Sequence, residues 1–342
     1  MSRKLIQKTS GKSIVLICFV LLLQTSLVWA AEDITGDWEI TMDNNGRKSY
    51  AMLSIKKAED GTLTGTWGST EISNVKFEDG KLTFIRTMGR GDREFTTDYE
   101  GTLKDGKLML TISNDWAEFD AVGARPKPMN PALGQWDVNF NIGDMDINAK
   151  LTISQTKEGK LEGKWTEQMG EHKITDVKFE DGKLTFTRHS KVEDMEFDNT
   201  FEGTVKDNKL TGTLKGSDMG QWKVEGQRIG QNLIGTWEVT TVSDFGSRTT
   251  IMKVFPDLTG RYEVFDSEVP MKNLKLEGDQ VTFDLEMGFG DMTFEMDFKG
   301  KLEGKTLKGQ MSSDRGTSEI TGKKIEKKKM EKPASEEMKS KN

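Results

Sequence analysis

The sequence predicts an all-β protein made of three tandem small antiparallel up-and-down β-barrels, each of about eight strands. Three observations predict this fold. A unit of about one hundred residues occurs three times, apolar residues alternate with polar ones inside it, and Asp-Gly pairs separate the alternating runs. The clearest sign of repetition is the phrase VKFEDGKLTF, which occurs at Val75–Phe84 and again, letter for letter, at Val177–Phe186.

Short motifs mark both ends of each unit. The units open with Gly-x-Trp, ending at Trp38, Trp136 and Trp237, and close with Gly-x-Arg or Gly-x-Lys, ending at Arg125, Arg228 and Lys324. A period near one hundred residues is typical of a domain, whereas solenoid repeats are about 20–50 residues long. We therefore expect a signal peptide at 1–30, barrel 1 at 31–126, a Pro-rich linker at 127–132, barrel 2 at 133–228, a linker at 229–232, barrel 3 at 233–324 and a charged disordered tail at 325–342.

The strands of the first unit follow from the alternation and the turns between the runs. In the repeated phrase, Val75, Phe77, Leu82 and Phe84 flank the pair Asp79-Gly80, which is a strong hairpin signal because both turn residues need positive φ. Similar turns are expected at Asp60-Gly61 and Asp105-Gly106. Strands are predicted near 36–43, 47–58, 62–67, 71–78, 81–87, 93–104, 107–113 and 116–125.

In an up-and-down barrel, alternate loops lie at opposite ends. The three Asp-Gly turns join strands 2–3, 4–5 and 6–7, so they lie at one end together with the Gly-x-Trp motif. The other connections form a second, more variable end. The 3–4 connection of the second unit, for example, gains four residues, including Gly170 and His172. We refer to these as the closed and the open end.

The N-terminus has the features of a secretory signal peptide. Four basic residues precede the apolar run Ile14–Leu23, and Val28-Trp29-Ala30 fits the small-residue rule for cleavage before Ala31. The alternative is an uncleaved anchor, but polar residues interrupt the run before it spans a bilayer comfortably. We therefore expect a secreted or periplasmic protein with no transmembrane segment after cleavage.

Charge and cysteine content narrow the function classes. Removal of the four basic and no acidic residues of the signal changes the formal net charge from −7 to −11, and an acidic chain without a basic face argues against nucleic acid as a partner. The single cysteine, Cys18, lies in the signal, so the mature chain has no disulfide and no thiol nucleophile.

These motifs resemble the calycin group of lipocalins, fatty-acid-binding proteins and avidins. Barrels of that group open with Gly-x-Trp, and in lipocalins an Arg or Lys of the last strand covers this Trp at the closed end. The resemblance implies three such pairs here, namely Trp38 with Arg125, Trp136 with Arg228 and Trp237 with Lys324. The stretch 34–67 looks most like the start of an avidin, although the polar residues that grip biotin in avidins have no counterpart in this sequence.

Strand parity places an aromatic residue and an arginine inside the first two barrels, near the open end. Trp67 and Arg86 point inward in barrel 1, and Trp165 and Arg188 point inward in barrel 2. An inward Arg beside an aromatic ring could bind a small anionic or amphipathic ligand. In barrel 3 the same positions are Tyr262 and Leu285, which predict an uncharged ligand or none. The alternative is that the barrel interiors are filled, because eight strands leave just enough room for their own side chains.

The sequence favours a non-enzymatic binding protein without cofactor or metal. Its two histidines, His172 and His189, do not recur between units, and there is no zinc-ligand spacing, catalytic triad or phosphate-binding loop. A small-ligand mouth, or a protein or surface partner that contacts the open-end loops, is the first hypothesis. The second is a structural, adhesion or accessory repeat array with filled barrels and no small-molecule ligand.

Overall fold

The computed structural model describes residues 33–44, 46–90, 93–168, 170–192, 195–216, 220–243, 246–264, 266–289 and 292–325. The expected signal peptide and its cleavage site, and the tail beyond residue 325, lie outside these ranges. From Ile34 onward the chain forms one compact unit. Among the described residues, no helix has the length and hydrophobicity needed to cross a membrane.

All regular structure in the described ranges is β-strand, in three sets of eight. The first set is β1 Gly36–Asn44, β2 Arg47–Lys57, β3 Leu63–Trp67, β4 Thr70–Glu78, β5 Lys81–Arg90, β6 Arg93–Lys104, β7 Lys107–Ser113 and β8 Glu118–Ala124. The second set is β9 Gly134–Ile142, β10 Met145–Gln155, β11 Leu161–Glu167, β12 Gly170–Glu180, β13 Lys183–Val192, β14 Met195–Lys206, β15 Lys209–Gly216 and β16 Gly220–Arg228. The third set is β17 Gly235–Ser243, β18 Gly246–Val254, β19 Gly260–Val264, β20 Ser267–Glu277, β21 Gln280–Phe289, β22 Met292–Glu303, β23 Thr306–Ser313 and β24 Gly316–Lys324.

Each set closes into an antiparallel barrel. Consecutive strands pair throughout, and the first strand of each set also pairs with the last: β1 with β8, β9 with β16 and β17 with β24. The expected fold class of tandem eight-stranded up-and-down barrels is therefore confirmed. One further pairing, Tyr50 with Glu268, joins β2 of barrel 1 to β20 of barrel 3, so the sheets of these two barrels are continuous.

The Asp-Gly turns explain the tight hairpins at the closed end. Asp79 and Gly80 have φ of 50° and 76°, as a two-residue turn between twisted strands requires. The expected tight turn at Asp60-Gly61 is wrong. Only Gly61 has positive φ, and the connection from β2 to β3 is a longer loop in which the Asp60 carboxylate accepts a hydrogen bond from the Thr62 amide.

Each barrel encloses its own apolar core. Inward side chains of all eight strands form one cluster per barrel, which includes a fully buried tryptophan of the first strand. The outward residues of the same strands are mostly exposed and polar, which is the expected period-two pattern. The barrels therefore need no neighbour to cover their hydrophobic faces.

Candidate functional site

The closed ends are built in the same way in all three barrels. The first-strand Trp donates its indole N–H to a carbonyl four residues earlier: Trp38 to Ile34 at 2.8 Å, Trp136 to Ala132 at 3.0 Å and Trp237 to Leu233 at 2.7 Å. This bond satisfies the one polar atom of a fully buried ring.

A cation from the last strand covers each of these rings. The guanidinium carbon of Arg125 lies 3.7 Å from the Trp38 ring centre, that of Arg228 lies 4.0 Å from Trp136, and Lys324 Nζ lies 5.7 Å from Trp237. Burial lowers the pKa of Arg228 to about 10. Arg228 and Lys324 also donate to nearby backbone carbonyls, so these residues cap the closed ends and are not free to bind a ligand.

Aromatic rings fill the middle of the barrels. The sequence allowed either a ligand cavity or a filled interior at this place. In barrel 1 the ring centroids of Phe84 and Tyr99 stack at 4.4 Å, and Trp67 lies 4.7 Å from Tyr99. Barrels 2 and 3 repeat the stack, with centroid distances of 4.7 Å between Phe186 and Phe201 and between Phe283 and Phe298. Rings at these separations leave no space between them for a ligand.

In barrel 1, Arg86 points inward beside the aromatic stack and is buried. Its guanidinium donates to Asp266 Oδ2 at 2.9 Å, and it also contacts Tyr99 Oη at 3.5 Å and Met88 Sδ at 2.8 Å. Asp266 belongs to barrel 3, in the turn between β19 and β20. The anion that meets Arg86 is thus a side chain of the same protein, 180 residues further along the chain.

Barrel 1 surrounds this carboxylate with hydrogen-bond donors. Ser69 Oγ donates to Asp266 Oδ1 at 3.1 Å, and Thr70 Oγ1 donates to Oδ2 at 2.9 Å. Burial raises the pKa of Asp266, but the hydrogen bonds from Thr70, Arg86 and Ser69 and the charge of Arg86 together outweigh it and hold the pKa below the ordinary value of an aspartate. Asp266 is therefore ionised at neutral pH.

In barrel 2 the corresponding arginine, Arg188, contacts groups of its own barrel. It donates to Asn199 Oδ1 at 3.0 Å, its Nη1 lies 3.5 Å from Glu167 Oε2, and its guanidinium lies 5.2 Å from the Trp165 ring. The Glu167 side chain is only 2% exposed and also accepts the indole N–H of Trp165. Burial lowers the pKa of Arg188, and the charge of Glu167 offsets part of that shift.

His172 completes this buried group in barrel 2. Its Nε2 lies 2.7 Å from Glu167 Oε1, which would be an ion pair if the ring were protonated, but the atoms are not aligned for a hydrogen bond. Ser190 Oγ and Arg188 Nε are likewise buried without a hydrogen-bond partner among the described residues. The open end of barrel 2 is thus polar inside, with partly unmet hydrogen-bonding capacity.

Glu167 and His172 were not predicted as site residues, although the sequence contained a signal for both. The four extra residues of the 3–4 connection do not lengthen the loop. They extend β11 and β12 by two residues each, so that Trp165 pairs with His172 and Glu167 with Gly170. Because Glu167 lies two positions after the inward Trp165, it also faces inward.

Barrel 3 has no charged group at the equivalent positions. Tyr262 and Leu285 are both buried, and Tyr262 lies 6.2 Å from Phe283 as part of the aromatic stack. The sequence also places an aspartate at the same position of the 5–6 connection in each unit, namely Asp92, Asp194 and Asp291, and these three residues lie outside the described ranges. Within the described ranges, no group of three or more His, Cys, Asp or Glu side chains is placed to hold a metal ion.

Exposed apolar side chains concentrate at the open ends. In barrel 1, Trp116 is 70% exposed and Phe119 is 41% exposed, and the Trp116 ring lies 5.3 Å from the ring of Phe95. We call these three residues the aromatic rim. Met145 of barrel 2 and Val242 of barrel 3 are also exposed near their open ends.

An open groove of about 920 Å³ runs along the outer face of β4 to β8 of barrel 1. Ile85 and Met109 contribute apolar surface to it, and Asp98, Glu100, Glu118 and Asp120 make it acidic. On β8, Glu118 and Asp120 face outward into the groove, whereas Phe119 has the inward parity of the buried Ala121, so the groove and the aromatic rim are separate surfaces.

No protein-family model and no curated protein matches this sequence. Among solved structures, it is similar to a protein described as an outer membrane protein of Bacteroides fragilis, at 15% identity over 57% of this chain and 97% of that chain, with a TM-score of 0.28. It is also similar to a double mutant of the vaccine antigen Transferrin Binding Protein B from Haemophilus parasuis, at 13% identity over 85% of this chain and 76% of that chain, with a TM-score of 0.18. The isotype 1 Transferrin binding protein B of Neisseria meningitidis gives 13% identity, the same coverages and a TM-score of 0.19. With TM-scores below 0.5, these likenesses carry no inference about function.

Proposed function

We propose that this chain is a non-enzymatic binding protein of the extracytoplasmic space, in which filled calycin-like barrels present their open ends to a protein partner. The observation that carries this proposal is the aromatic rim of barrel 1. A tryptophan that is 70% exposed and packs against the ring of Phe95 is unusual on a free surface, and tryptophan is enriched in the centres of protein interfaces.

The charge around the rim supports a basic and apolar partner surface. Glu94, Asp115 and Glu118, which are neighbours of the rim residues in the sequence, are exposed. Complementary charge would speed association with such a partner, and binding would weaken as salt is added.

The interiors support this proposal over a small ligand within the barrels. The aromatic stacks fill the middle of each barrel, and the inward Arg86 and Arg188 lie against carboxylates of the chain itself. A ligand at either arginine would have to compete with Asp266 or Glu167. The extracytoplasmic location rests on the N-terminal basic and apolar segments and on the cleavage motif Val28-Trp29-Ala30.

A second candidate function, a small polar ligand at the open end of barrel 2, has one observation in its favour. Ser190 Oγ and Arg188 Nε are buried close to Glu167 and His172, and neither atom has a hydrogen-bond partner among the described residues. A ligand with hydrogen-bond acceptors would satisfy both. Titration of small carboxylates and sugars against Ser190→Ala and the unchanged protein tests this candidate, because the variant should bind less tightly.

Site-specific photo-crosslinking tests the main proposal. The crosslinker p-benzoylphenylalanine replaces Trp116 in the full chain, and a matched variant carries it at Lys107, which is exposed at the closed end of the same barrel. The probes are incubated with cell-envelope proteins of the source cell. We expect a discrete protein adduct at position 116 and none at position 107.

Competition decides whether the adduct is specific. Excess unmodified protein should abolish it, whereas excess Trp116→Ser/Phe119→Ser protein should not compete. Equal adducts at both positions, or equal competition by both proteins, would refute an interface at the rim.

A further inference from the structure

We infer that the open end of barrel 1 is a carboxylate-binding site that holds Asp266 as its resident ligand, and that a carboxylate-bearing ligand can take the place of Asp266. This site is separate from the aromatic rim and does not depend on the function proposed for the rim. Its donors belong to barrel 1, whereas the carboxylate belongs to barrel 3.

The site binds both oxygens of the carboxylate. Ser69 donates to Oδ1, while Thr70 and Arg86 donate to Oδ2. Ser69 lies in the short connection from β3 to β4, Thr70 begins β4 and Arg86 lies on β5, so the fold of barrel 1 holds all three in position. Two hydroxyls and one guanidinium around one carboxylate form a recognition site for this group, in which charge strengthens the hydrogen bonds.

Comparison of the three barrels links the inward arginine to a carboxylate. In barrel 2, Arg188 faces Glu167, which lies two residues after Trp165. The corresponding position in barrel 1, two residues after Trp67, is Ser69, which is a donor and not an acid. Barrel 3 has Leu285 in place of the arginine. Barrel 2 thus carries its carboxylate on its own hairpin, whereas barrel 1 receives one from another barrel.

Asp266 can leave the site without unfolding a strand. It lies in the turn between β19 and β20, and its side chain is 21% exposed. Its φ of 61° is a left-handed conformation that aspartate tolerates in short turns, so the turn does not depend on the contacts with barrel 1. The other contacts between these barrels, such as Arg261 with Glu39 at 2.8 Å, lie outside the site and can keep the barrels together during exchange.

The test uses the full-length chain with Asp266→Ala, which removes the resident carboxylate, and sodium formate as the probe. The reporter is the methyl signal of ¹³C-labelled Met88, because its sulfur lies 2.8 Å from Arg86 Nη2. We expect a saturable shift with half-saturation at about 1–100 mM, as a three-atom ligand allows. At ten times that concentration, formate should raise the folded-to-unfolded ratio of barrel 1 about elevenfold.

Three controls make the result specific. Sodium chloride at equal ionic strength should produce no saturable shift, the unchanged protein should respond to formate only at much higher concentration, and Arg86→Met added to Asp266→Ala should abolish the response. If Asp266→Ala does not fold, Asp266→Gly also removes the carboxylate, suits the φ of 61° at this position, and should give the same pattern. A formate effect no larger than that of chloride, or one that survives Arg86→Met, would overturn the inference.

A second arm identifies the source of the carboxylate. The peptide EVFDSE, which copies residues 263–268, is titrated against Asp266→Ala beside formate. A peptide that binds at least tenfold more tightly than formate, and loses this advantage when its Asp is replaced by Asn, assigns the site to acidic polypeptides. Equal or weaker binding of the peptide assigns it to small free carboxylates.

Discussion

Arg86 and Arg188 place positive charges inside barrels that are otherwise lined by apolar side chains. Burial of a charge is costly unless a partner of opposite sign and further hydrogen bonds accompany it. Both arginines meet this condition by the same chemistry, with Asp266 and Glu167 as the partners. At the residue scale, the two carboxylates therefore offset the free-energy cost of burying the inward arginines.

Removal of Glu167 should destabilise barrel 2 strongly. Glu167→Val leaves the guanidinium of Arg188 buried without its carboxylate, and we expect a loss of about 3–5 kcal/mol in the free energy of unfolding. The double variant Glu167→Val/Arg188→Leu copies the residues of barrel 3, Val264 and Leu285, and should recover most of that loss. Hydrogen exchange across a urea series measures each barrel separately; a double variant no more stable than Glu167→Val would contradict this reading.

The lowered pKa of Asp266 predicts how the stability of the barrel 1 and barrel 3 contact varies with pH. Because the pKa is below the ordinary value of an aspartate in the folded state, the carboxylate stabilises the contact fully above the unfolded-state pKa, and this stabilisation is lost as pH falls through the folded-state pKa. The stability difference between the unchanged protein and Asp266→Asn should be constant near neutral pH and shrink below about pH 4. Urea unfolding from pH 3 to 7 checks this, and a difference that grows on acidification would exclude it.

Trp38 should be essential to barrel 1. Its ring is fully buried, bonded to Ile34 and covered by Arg125, so Trp38→Ala should cost about 3–5 kcal/mol. Trp116→Ala is the matched control, because this ring is 70% exposed and its loss should change stability by less than about 0.5 kcal/mol. Urea unfolding of both variants measures the difference, and equal losses would show that Trp38 does not anchor the core.

At the scale of the element, the hairpin is the unit that the sequence specifies most fully. The identical phrases at Val75–Phe84 and Val177–Phe186 form the same structure. Each has a two-residue turn, and in each the strand before the turn contains a register shift, between Ser73 and Lys76 in barrel 1 and between Thr175 and Lys178 in barrel 2. The turn residues repeat as well, since Asp181 and Gly182 have φ of 49° and 79°. Local sequence is sufficient here because every interaction that fixes the turn lies within a few residues.

Gly80→Ala should therefore destabilise barrel 1 by about 1–2 kcal/mol, because the alanine must adopt a φ near 76°. Gly89→Ala is a suitable control, since Gly89 has no positive φ and its added methyl group would meet no atom within 4 Å. Denaturant unfolding of the two variants gives the comparison. Equal effects at both positions would mean that the turn conformation does not matter for stability.

The elements also show where sequence reasoning reaches its limit. Parity places Trp67, Arg86, Trp165 and Arg188 inward, and all four are buried in the structure. The partner of Arg86 could not be inferred, because Asp266 is 180 residues away and the contact depends on how two barrels pack. Glu167 could have been found from its parity with Trp165, if the inserted residues had been assigned to the strands and not to a loop.

At the scale of the whole molecule, three closed barrels share one construction but differ at their open ends. Barrel 1 shares a sheet contact with barrel 3 between Tyr50 and Glu268, and Arg261 of barrel 3 stacks 3.6 Å from the Tyr50 ring. The open end of barrel 1 thus contacts barrel 3 and also carries the aromatic rim. The three barrels thus share the construction of their cores and closed ends and differ in the chemistry of their open ends.

The buried Arg86 of barrel 1 finds its carboxylate partner, Asp266, in barrel 3, and a double-mutant cycle measures the strength of this pairing. Hydrogen exchange of β5 peptides, followed across a urea series, gives the stability of barrel 1 in Arg86→Met, Asp266→Ala and the double variant. We predict a coupling energy of about 1–3 kcal/mol between the two positions, whereas Arg125→Ala with Asp266→Ala, at the opposite end of the same barrel, should be additive within about 0.5 kcal/mol. Additive effects of Arg86→Met and Asp266→Ala would show that the two side chains do not stabilise each other.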